Sequence, residues 1–520
     1  MPLPSNISST AENGQRQNSL QDVSARFGQL QRTLAGMYQR IFPDRLARRT
    51  IVVVPSLTLD PEELAKIDGA HHYEERMLCL LMLLQLPNTR LIYVTSQPIS
   101  QTVVDYFLHL LPGIPSTHAR RRLHLFDCCD ASSLPLVQKI LDRPRLIDKI
   151  REAIPDTDSA HISCFNSTPL ERDLALQLGI PLYANDPDLA YLGSKSGSRK
   201  IMRAAGISVP DGFEELKDES EIIGALAQLK ERNPALRKAV IKLNEGFSGE
   251  GNATFAYEGC PDSNIEAWVQ SELPKRIKFE AKGENWKAYV KKFIEMRGIV
   301  EAFVEGEEKC SPSVQCRINP IGEVEVISTH DQILGGPSGQ IFLGCTFPAR
   351  SEYRVEIQEA GRKVGVCLRN EGVLGRFGID FISVREPDGW KHYAIEINLR
   401  KGGTTHPFMM LQLLTNGSYD SETGEFVVPG GGSRCYIASD NLCDDSYRGL
   451  CPEDLIDIAV EKDLHFHSTI QQGVVFHLIG ALSEFGKLGV LCIGDSREDA
   501  QTYYEQTLEA LKRRDDATND

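Results

Sequence analysis

The first stretch of the chain alternates short apolar runs with amphipathic ones. Arg49 to Leu57 (RTIVVVPSL) is apolar, β-branched and of strand length, which predicts a buried strand. Tyr73 to Leu86 predicts an apolar helix and Leu91 to Thr95 a second strand. The surroundings of Tyr106 read as helix, and Leu123 to Phe126 and His161 to Phe165 as two more strands. Strands alternating with helices indicate a parallel α/β layer over about 50–185. Before it, Val23 to Ile41 predicts a helix after a disordered start.

The pattern then changes. Leu189 to Ile207 reads as a helix stopped by Gly206 and Pro210. Ser220 to Glu231 is a second helix, and Ala239 to Leu243 a strand that runs into a glycine-rich stretch, Glu245 to Gly251. Strand-like runs recur at 293–304, 314–328, 376–384 and 392–398, several alternating as antiparallel strands do, so this region is α+β. Residues 416–435 are rich in Gly and Ser and predict a loop or linker. After Pro452 an apolar helix is expected over part of HFHSTIQQGVVFHLIGALSEFG, then a strand at Leu488 to Ile493 and a last helix from Arg497 to Arg513.

Composition narrows the class. Hydrophobic residues make up 41% and charged residues 25%, the balance of a soluble protein with real cores. A net charge of −15 removes the basic field that non-specific nucleic-acid or membrane-surface binding needs. It leaves nucleotides open, because a few local cations and backbone N–H groups suffice for phosphates. The longest apolar candidate, Met77 to Leu86, falls short of the roughly 18–20 residues of a membrane helix. No signal-peptide-like stretch is present, and an ordinary disordered start is preferred over a transit peptide. Thirteen Cys without a regular framework point to reduced thiols and a cytoplasmic setting. Cys435, Cys443 and Cys451 recur every eight residues with His465 and His467 beyond, but the spacing matches no common zinc pattern, and small core residues are the plainer reading.

Four segments carry candidate chemistry. Glu396, Asn398 and Arg400 stand two apart in AIEINLR, so strand geometry points them to one face. Asp380, in GIDF, lies on a neighbouring strand joined through Pro387-Asp388-Gly389. Two carboxylates and an amide oxygen are the hard-oxygen set Mg²⁺ favours, and Arg400 is placed to meet a phosphate or a developing oxyanion. Lys242, inside the apolar strand AVIKL, precedes Gly246, Ser248, Gly249 and Gly251, a loop able to turn backbone N–H groups onto a phosphate. A plain hairpin remains the alternative for that loop. Around Glu301 to Val304 the backbone can read an adenine edge, and Glu308 can accept from a ribose, with a strand running into an acidic turn as the other reading. Lys195 opens the helix that ends at Gly206. Thr404, Thr405 and His406 follow the metal strand and are candidates for lining an acyl site; a structural role for His406 stays open. His330, beside Asp331, is a further candidate for substrate contact.

In combination these segments resemble the ATP-grasp superfamily over about residues 190–410: the lysine-bearing helix before AGISVP, then IKLNEGFSGEG, VEAFVEGEE, GIDF and EINLRKGG. The resemblance implies that Lys195 and Lys242 contact ATP phosphates under a flap at 246–251. It puts Glu301 and Val304 at the adenine, Glu308 at the ribose, Asp380, Glu396 and Asn398 on Mg²⁺ (with Mn²⁺ as a substitute), and Arg400 on the acyl-phosphate and tetrahedral states. Leu399 stands where many members have Pro, so the turn to Arg400 can differ. A narrower resemblance, to the pheganomycin-type peptide ligases, lies in GVVFHLIGALSEFGKLGVLCIGDS and in KGGTTHP.

The expected architecture is multidomain α/β and α+β. It consists of an N-terminal segment at 1–48, a parallel pre-ATP-grasp-like α/β domain at 49–188, the ATP-grasp domain at 189–415, a linker at 416–450 and a small C-terminal α/β domain at 451–520. The expected activity is ADP-forming carboxylate–amine ligation through an acyl phosphate, joining an amino acid or related acid to an amino acid or peptide amine. No nucleic-acid or membrane partner is expected, and a homodimer is the oligomer the superfamily suggests. The alternatives are a non-catalytic ATP-binding module and a ligase with a non-amino-acid acceptor.

Overall fold

The computed structural model describes residues 22–58, 64, 67–245, 251–281, 283–335 and 341–512. It divides into two compact units, Met1–Pro187 and Asp188–Asp520.

The first unit is built on four parallel strands: β1 (Arg49–Val54), β2 (Thr89–Thr95), β3 (Leu123–Asp127) and β4 (Ala160–Cys164), in the order β3-β2-β1-β4. Every residue of β1 is buried, as an apolar β-branched run covered on both faces must be. Val52, Val54, Ile92, Val94 and Ile162 form a core with Leu174 and Leu178 of the helix Pro169–Leu178. That helix starts where its sequence says: Thr168 and Glu171 form a capping box, Pro169 takes the first turn, and Gly179 closes it at φ 68°. Beyond β2, the Glu74 carboxylate, on the helical segment Ala70–Gln85, accepts from the Ser96 N–H and hydroxyl, both at 2.6 Å. Lys139 donates to the same hydroxyl at 3.0 Å. Burial pushes Glu74 up to about 7 against these bonds and the Lys139 charge.

Two antiparallel sheets dominate the second unit. The smaller has the order β5-β9-β6-β7-β8, with β5 (Gly212–Leu216), β6 (Lys238–Leu243), β7 (Asn252–Ala256), β8 (Lys278–Phe279) and β9 (Gly298–Ala302). The larger, nine-stranded among the described residues, uses β10 (Lys309–Cys310), β11 (Pro312–Ile318), β12 (Val324–Gly335), β13 (Ile341–Phe347), β14 (Gly375–Glu386) and β15 (Gly389–Asn398). A hairpin of β16 (Ser418–Asp420) and β17 (Glu425–Val427) stands apart, and β18 (Cys435–Cys443), β19 (Gly473–His477) and β20 (Lys487–Gly494) complete the large sheet. Its order is β10-β14-β11-β12-β13-β18-β20-β19, with β15 on β14. The helix Arg354–Asn370 packs on β11 and β12. A Cβ at its Gly365 would sit 2.5 Å from Val324, so glycine lets that helix close on the sheet. Among the described residues no helix is long and apolar enough to cross a membrane.

Three expectations are corrected. The run 293–304 is not one strand: the helix Trp286–Met296 takes its start, because Tyr289 and Phe293 bury on one helical face and Asn285 caps the Ala288 N–H at 3.1 Å. The expected linker 416–450 contains the β16–β17 hairpin and β18, which is paired on both sides by β13 and β20. The expected C-terminal apolar helix is broken by strand β19, whose fully buried Gly-Val-Val-Phe-His run pairs with β20; short helical turns follow at Ile479–Ala481 and Leu482–Phe485. β18, β19 and β20 therefore extend the sheet of the middle region instead of forming one of their own.

Candidate active site

The hairpin β14–β15 sets the geometry. Its register places Asp380 opposite Glu396 and Gly378 opposite Asn398, so the two carboxylates and the amide share one face. Asn398 Nδ2 donates to Asp380 Oδ2 at 3.0 Å, and Gln332 Nε2, from β12, donates to Asp380 Oδ1 at 2.7 Å.

Cations arrive from two other elements. Ser194 caps the helix Lys195–Ala204 by accepting from the Gly197 N–H at 3.0 Å. Ser198, on the same helix, accepts from the Ile397 N–H at 3.1 Å, which ties the helix to β15. Gly197 is required there, since a Cβ would fall 2.0 Å from the Tyr191 carbonyl oxygen. This brackets Lys195 against β15, where its ammonium pairs with Glu396. From the smaller sheet, Lys242 of β6 pairs with Glu301 of β9 at 2.6 Å, and Arg199 reaches the other oxygen of Glu301 at 2.8 Å. Asn244, just after β6, accepts from the Ser196 N–H and hydroxyl at 3.0 and 2.7 Å, joining that sheet to the start of the lysine helix.

The electrostatics separate the two carboxylates. Burial, then the Glu396 charge, push Asp380 up to about 7, against Lys195, Arg400 and the Gln332 bond. Glu396 meets the same burial, but Lys195 above all, with Lys242 and Arg400, outweighs it and holds the group below its ordinary value. Both carboxylates thus feel Arg400, whose guanidinium also donates to the Lys401 carbonyl at 3.0 Å. A divalent cation supplies the charge that would keep Asp380 ionised, so the donors fit Mg²⁺ in type and number.

Other expected residues lie elsewhere. Glu301 is buried with its carboxylate committed to Lys242 and Arg199, and its backbone is paired to β5 and β6. Backbone pairing continues to the Phe303 N–H, which donates to Lys238 at 3.1 Å, so Val304 is the first position of the stretch beyond the sheet. Glu308 is exposed and pairs with Arg350 at 3.1 Å. Gly246, Ser248 and Gly249 lie outside the described residues. The Gly251 carbonyl accepts from Leu243 N–H and from the Tyr289 hydroxyl, the latter at 2.9 Å. His330 is fully buried, hydrogen-bonded to the Tyr436 hydroxyl at 2.7 Å and pushed by burial down to about 3. Thr404, Thr405 and His406 are buried as well; Thr405 Oγ accepts from the Gly402 N–H, and His406 and His477 share a hydrogen bond at 2.8 Å.

Sequence reasoning missed Arg199, Gln332 and Asn244. Arg199 had a signal, standing one helical turn after Lys195. Gln332 had a weaker one, two residues from His330 on an alternating strand. The role of Asn244 had none.

An IQCH-like ATP-grasp family model matches residues 187–278 and 274–422, and a PGM1 C-terminal domain model matches 454–507. The chain is 28% identical over 462 residues to L-propargylglycine–L-glutamate ligase of Streptantibioticus cattleyicolor, covering 87% of this chain and 92% of that protein. It is 23% identical over 434 residues to IQ motif-containing protein H of Danio rerio, covering 74% of this chain and 40% of that protein. Among solved structures, the biotin carboxylase of Campylobacter jejuni in a β-γ-ATP complex superposes with a TM-score of 0.54 at 11% identity, over 89% of this chain and 92% of that one. The biotin carboxylase domain of Hydrogenobacter thermophilus 2-oxoglutarate carboxylase, in complex with ADP and its magnesium salt, gives 0.53 at 13% identity over 89% of each chain. At such identities the likeness is one of fold. Family match and fold agree: residues 187–422 resemble the IQCH-like ATP-grasp family, and the chain has an ATP-grasp fold.

Proposed function

We propose that this protein is an ATP-dependent ligase that activates a carboxylic acid as its acyl phosphate and passes the acyl group to an amine. One observation carries the reading: Asp380, Glu396 and Asn398 share one face of β14–β15, and that face is met by Lys195 and lies within the field of Lys242 and Arg400. Mg²⁺ held by Asp380, Glu396 and Asn398 would neutralise charge on the phosphates it shares with them.

The chain's own residues do the rest. Lys195 and Lys242 hold the phosphates and spread their charge while the acid's carboxylate displaces ADP in line. Val304, at the end of the β9 segment, borders the base, and Glu308, once free of Arg350, serves the ribose. When the amine attacks the acyl carbon, Arg400 stabilises the oxyanion and phosphate leaves. Asn398 and Gln332 orient Asp380. Phosphate-bearing intermediates hydrolyse in water, so the segment 246–251 is assigned the covering role. An amino acid on each side is the substrate class suggested by the propargylglycine–glutamate ligase relative. Mn²⁺ replacing Mg²⁺, and a homodimer, belong to the same proposal.

The test is ADP release with ATP, Mg²⁺ and pairwise pools of amino acids, with products weighed by mass spectrometry. The expected product has the summed mass of acid and amine less one water. A second reading is a non-catalytic ATP-binding module: one relative, IQ motif-containing protein H, carries a name that states no reaction. Tight ATP binding with no ADP release under any acid would favour it over the ligase.

A further inference from the structure

Beyond the helix Pro452–Glu461 the chain turns at Asp463, in a left-handed conformation at φ 53°. It then runs extended beside β19, with His465 paired to Val474 and His467 to Gln472. Alternation puts both imidazoles on one side, with ring centroids 4.2 Å apart. His467 Nε2 lies 3.0 Å from Asp463 Oδ1. One ligand atom from each of Asp463, His465 and His467 lies within 4.8 Å of the others.

Two further observations point to a ligand. His465 Nδ1 is buried and has no hydrogen-bond partner among the described residues, a costly state for an imidazole nitrogen. The backbone here is also held close. Gly473 sits at φ 117°, and a Cβ there would fall 2.5 Å from the His465 carbonyl oxygen. A simple His–Asp ion pair accounts for the Asp463–His467 contact but not for the second imidazole beside it.

We propose that Asp463, His465 and His467 bind one divalent transition metal of the zinc class, separately from the oxygen-rich nucleotide site. Imidazole nitrogens select Zn²⁺, Co²⁺ or Ni²⁺ over Mg²⁺, which takes oxygen donors. Tetrahedral zinc with bonds of about 2.0–2.1 Å separates its donors by roughly 3.3 Å. The partly exposed side chains reach that spacing by torsion, while the pairing to Val474 and Gln472 keeps the backbone in place. Three protein donors leave a position for water. The bound ion would join the end of a helix to the strand beside β19, the edge of the large sheet.

The experiment uses the full chain without a polyhistidine tag, in excess Mg²⁺, titrated with Co²⁺ and followed by visible absorption and calorimetry. One equivalent is expected, with d–d bands and no thiolate charge-transfer band, which sets aside the exposed Cys129, Cys443 and Cys451. His465→Gln and His467→Gln should each weaken binding about tenfold or more, and Zn²⁺ should raise the thermal midpoint of the parent protein but not of the variants. Asp463→Asn, at an exposed position, carries the same test where a histidine variant does not fold. No bound Co²⁺, unchanged binding in the variants, or a thiolate band would overturn the assignment.

Discussion

Asp380 and His330 stand in the same row of the large sheet, one on each side of Ser313, yet they have opposite fates. At the Asp380 end the row continues to Glu396 and is met by Lys195. At the His330 end it continues to Phe347 and Tyr436, which stack at 4.8 Å, and Phe408 of the helix Thr405–Thr415 packs on Phe347 at 5.5 Å. Burial presses on both groups in the direction of the neutral form. Among the described residues, cations and amides oppose it at the Asp380 end, whereas at the His330 end burial acts alone, so one end holds charge and the other excludes it.

Substitutions should separate the two ends. Phe347→Ala removes a fully buried ring from the aromatic end and should cost about 4 kcal/mol of stability, with turnover per folded molecule nearly unchanged. Denaturant unfolding alongside ADP release checks this; a loss of turnover in the folded fraction would mean that the ends are coupled. Glu396→Gln should do the reverse, lowering turnover on the order of 10²–10³-fold, about 3–4 kcal/mol, with the fold intact. Unaltered ADP release in that variant would remove Glu396 from the metal set.

Glu74 in the first unit sharpens the comparison, because it is buried with Ser96 and a single nearby ammonium, that of Lys139. Its folded value of about 7 exceeds its ordinary 4.5, so the folded chain holds the proton longer than the unfolded chain. The stability this contributes is complete below pH 4.5 and is lost as pH rises to about 7, a fall of about 3 kcal/mol. Urea midpoints across that range should show the slope in the parent and lose it in Glu74→Gln. Equal slopes in both would assign the group too large a shift. The smallest effect is expected for Gln332→Leu, which leaves Asp380 only the Asn398 bond: about tenfold weaker use of Mg²⁺ at unchanged stability. An unchanged Mg²⁺ requirement would make Gln332 structural.

The site was legible where its logic is local. Glu396 and Asn398 lie two apart on either side of buried Ile397, and that spacing alone gives a shared face. Lys242 in an apolar strand is legible as a candidate for a phosphate; in the structure its ammonium pairs with Glu301. That partner was not legible: Glu301 was read for its backbone, and its side chain's role depends on β9 lying beside β6. The expected linker and apolar helix failed for a related reason. Gly- and Ser-rich composition does not say that a hairpin closes at 418–427, and Val474 to Phe476 is apolar in a strand or a helix alike until β20 lies alongside.

Periodicity along the chain by itself determined the parallel layer of the first unit, the strands β6, β14, β15 and β20 of the second and the common face of the metal-type donors. It could do so because side-chain direction follows from backbone geometry within a few residues. Tertiary structure decided what lies against each face: cations over Asp380 and Glu396, aromatic rings over His330. Those neighbours come from segments far away in sequence, and burial together with charge takes its sign from them.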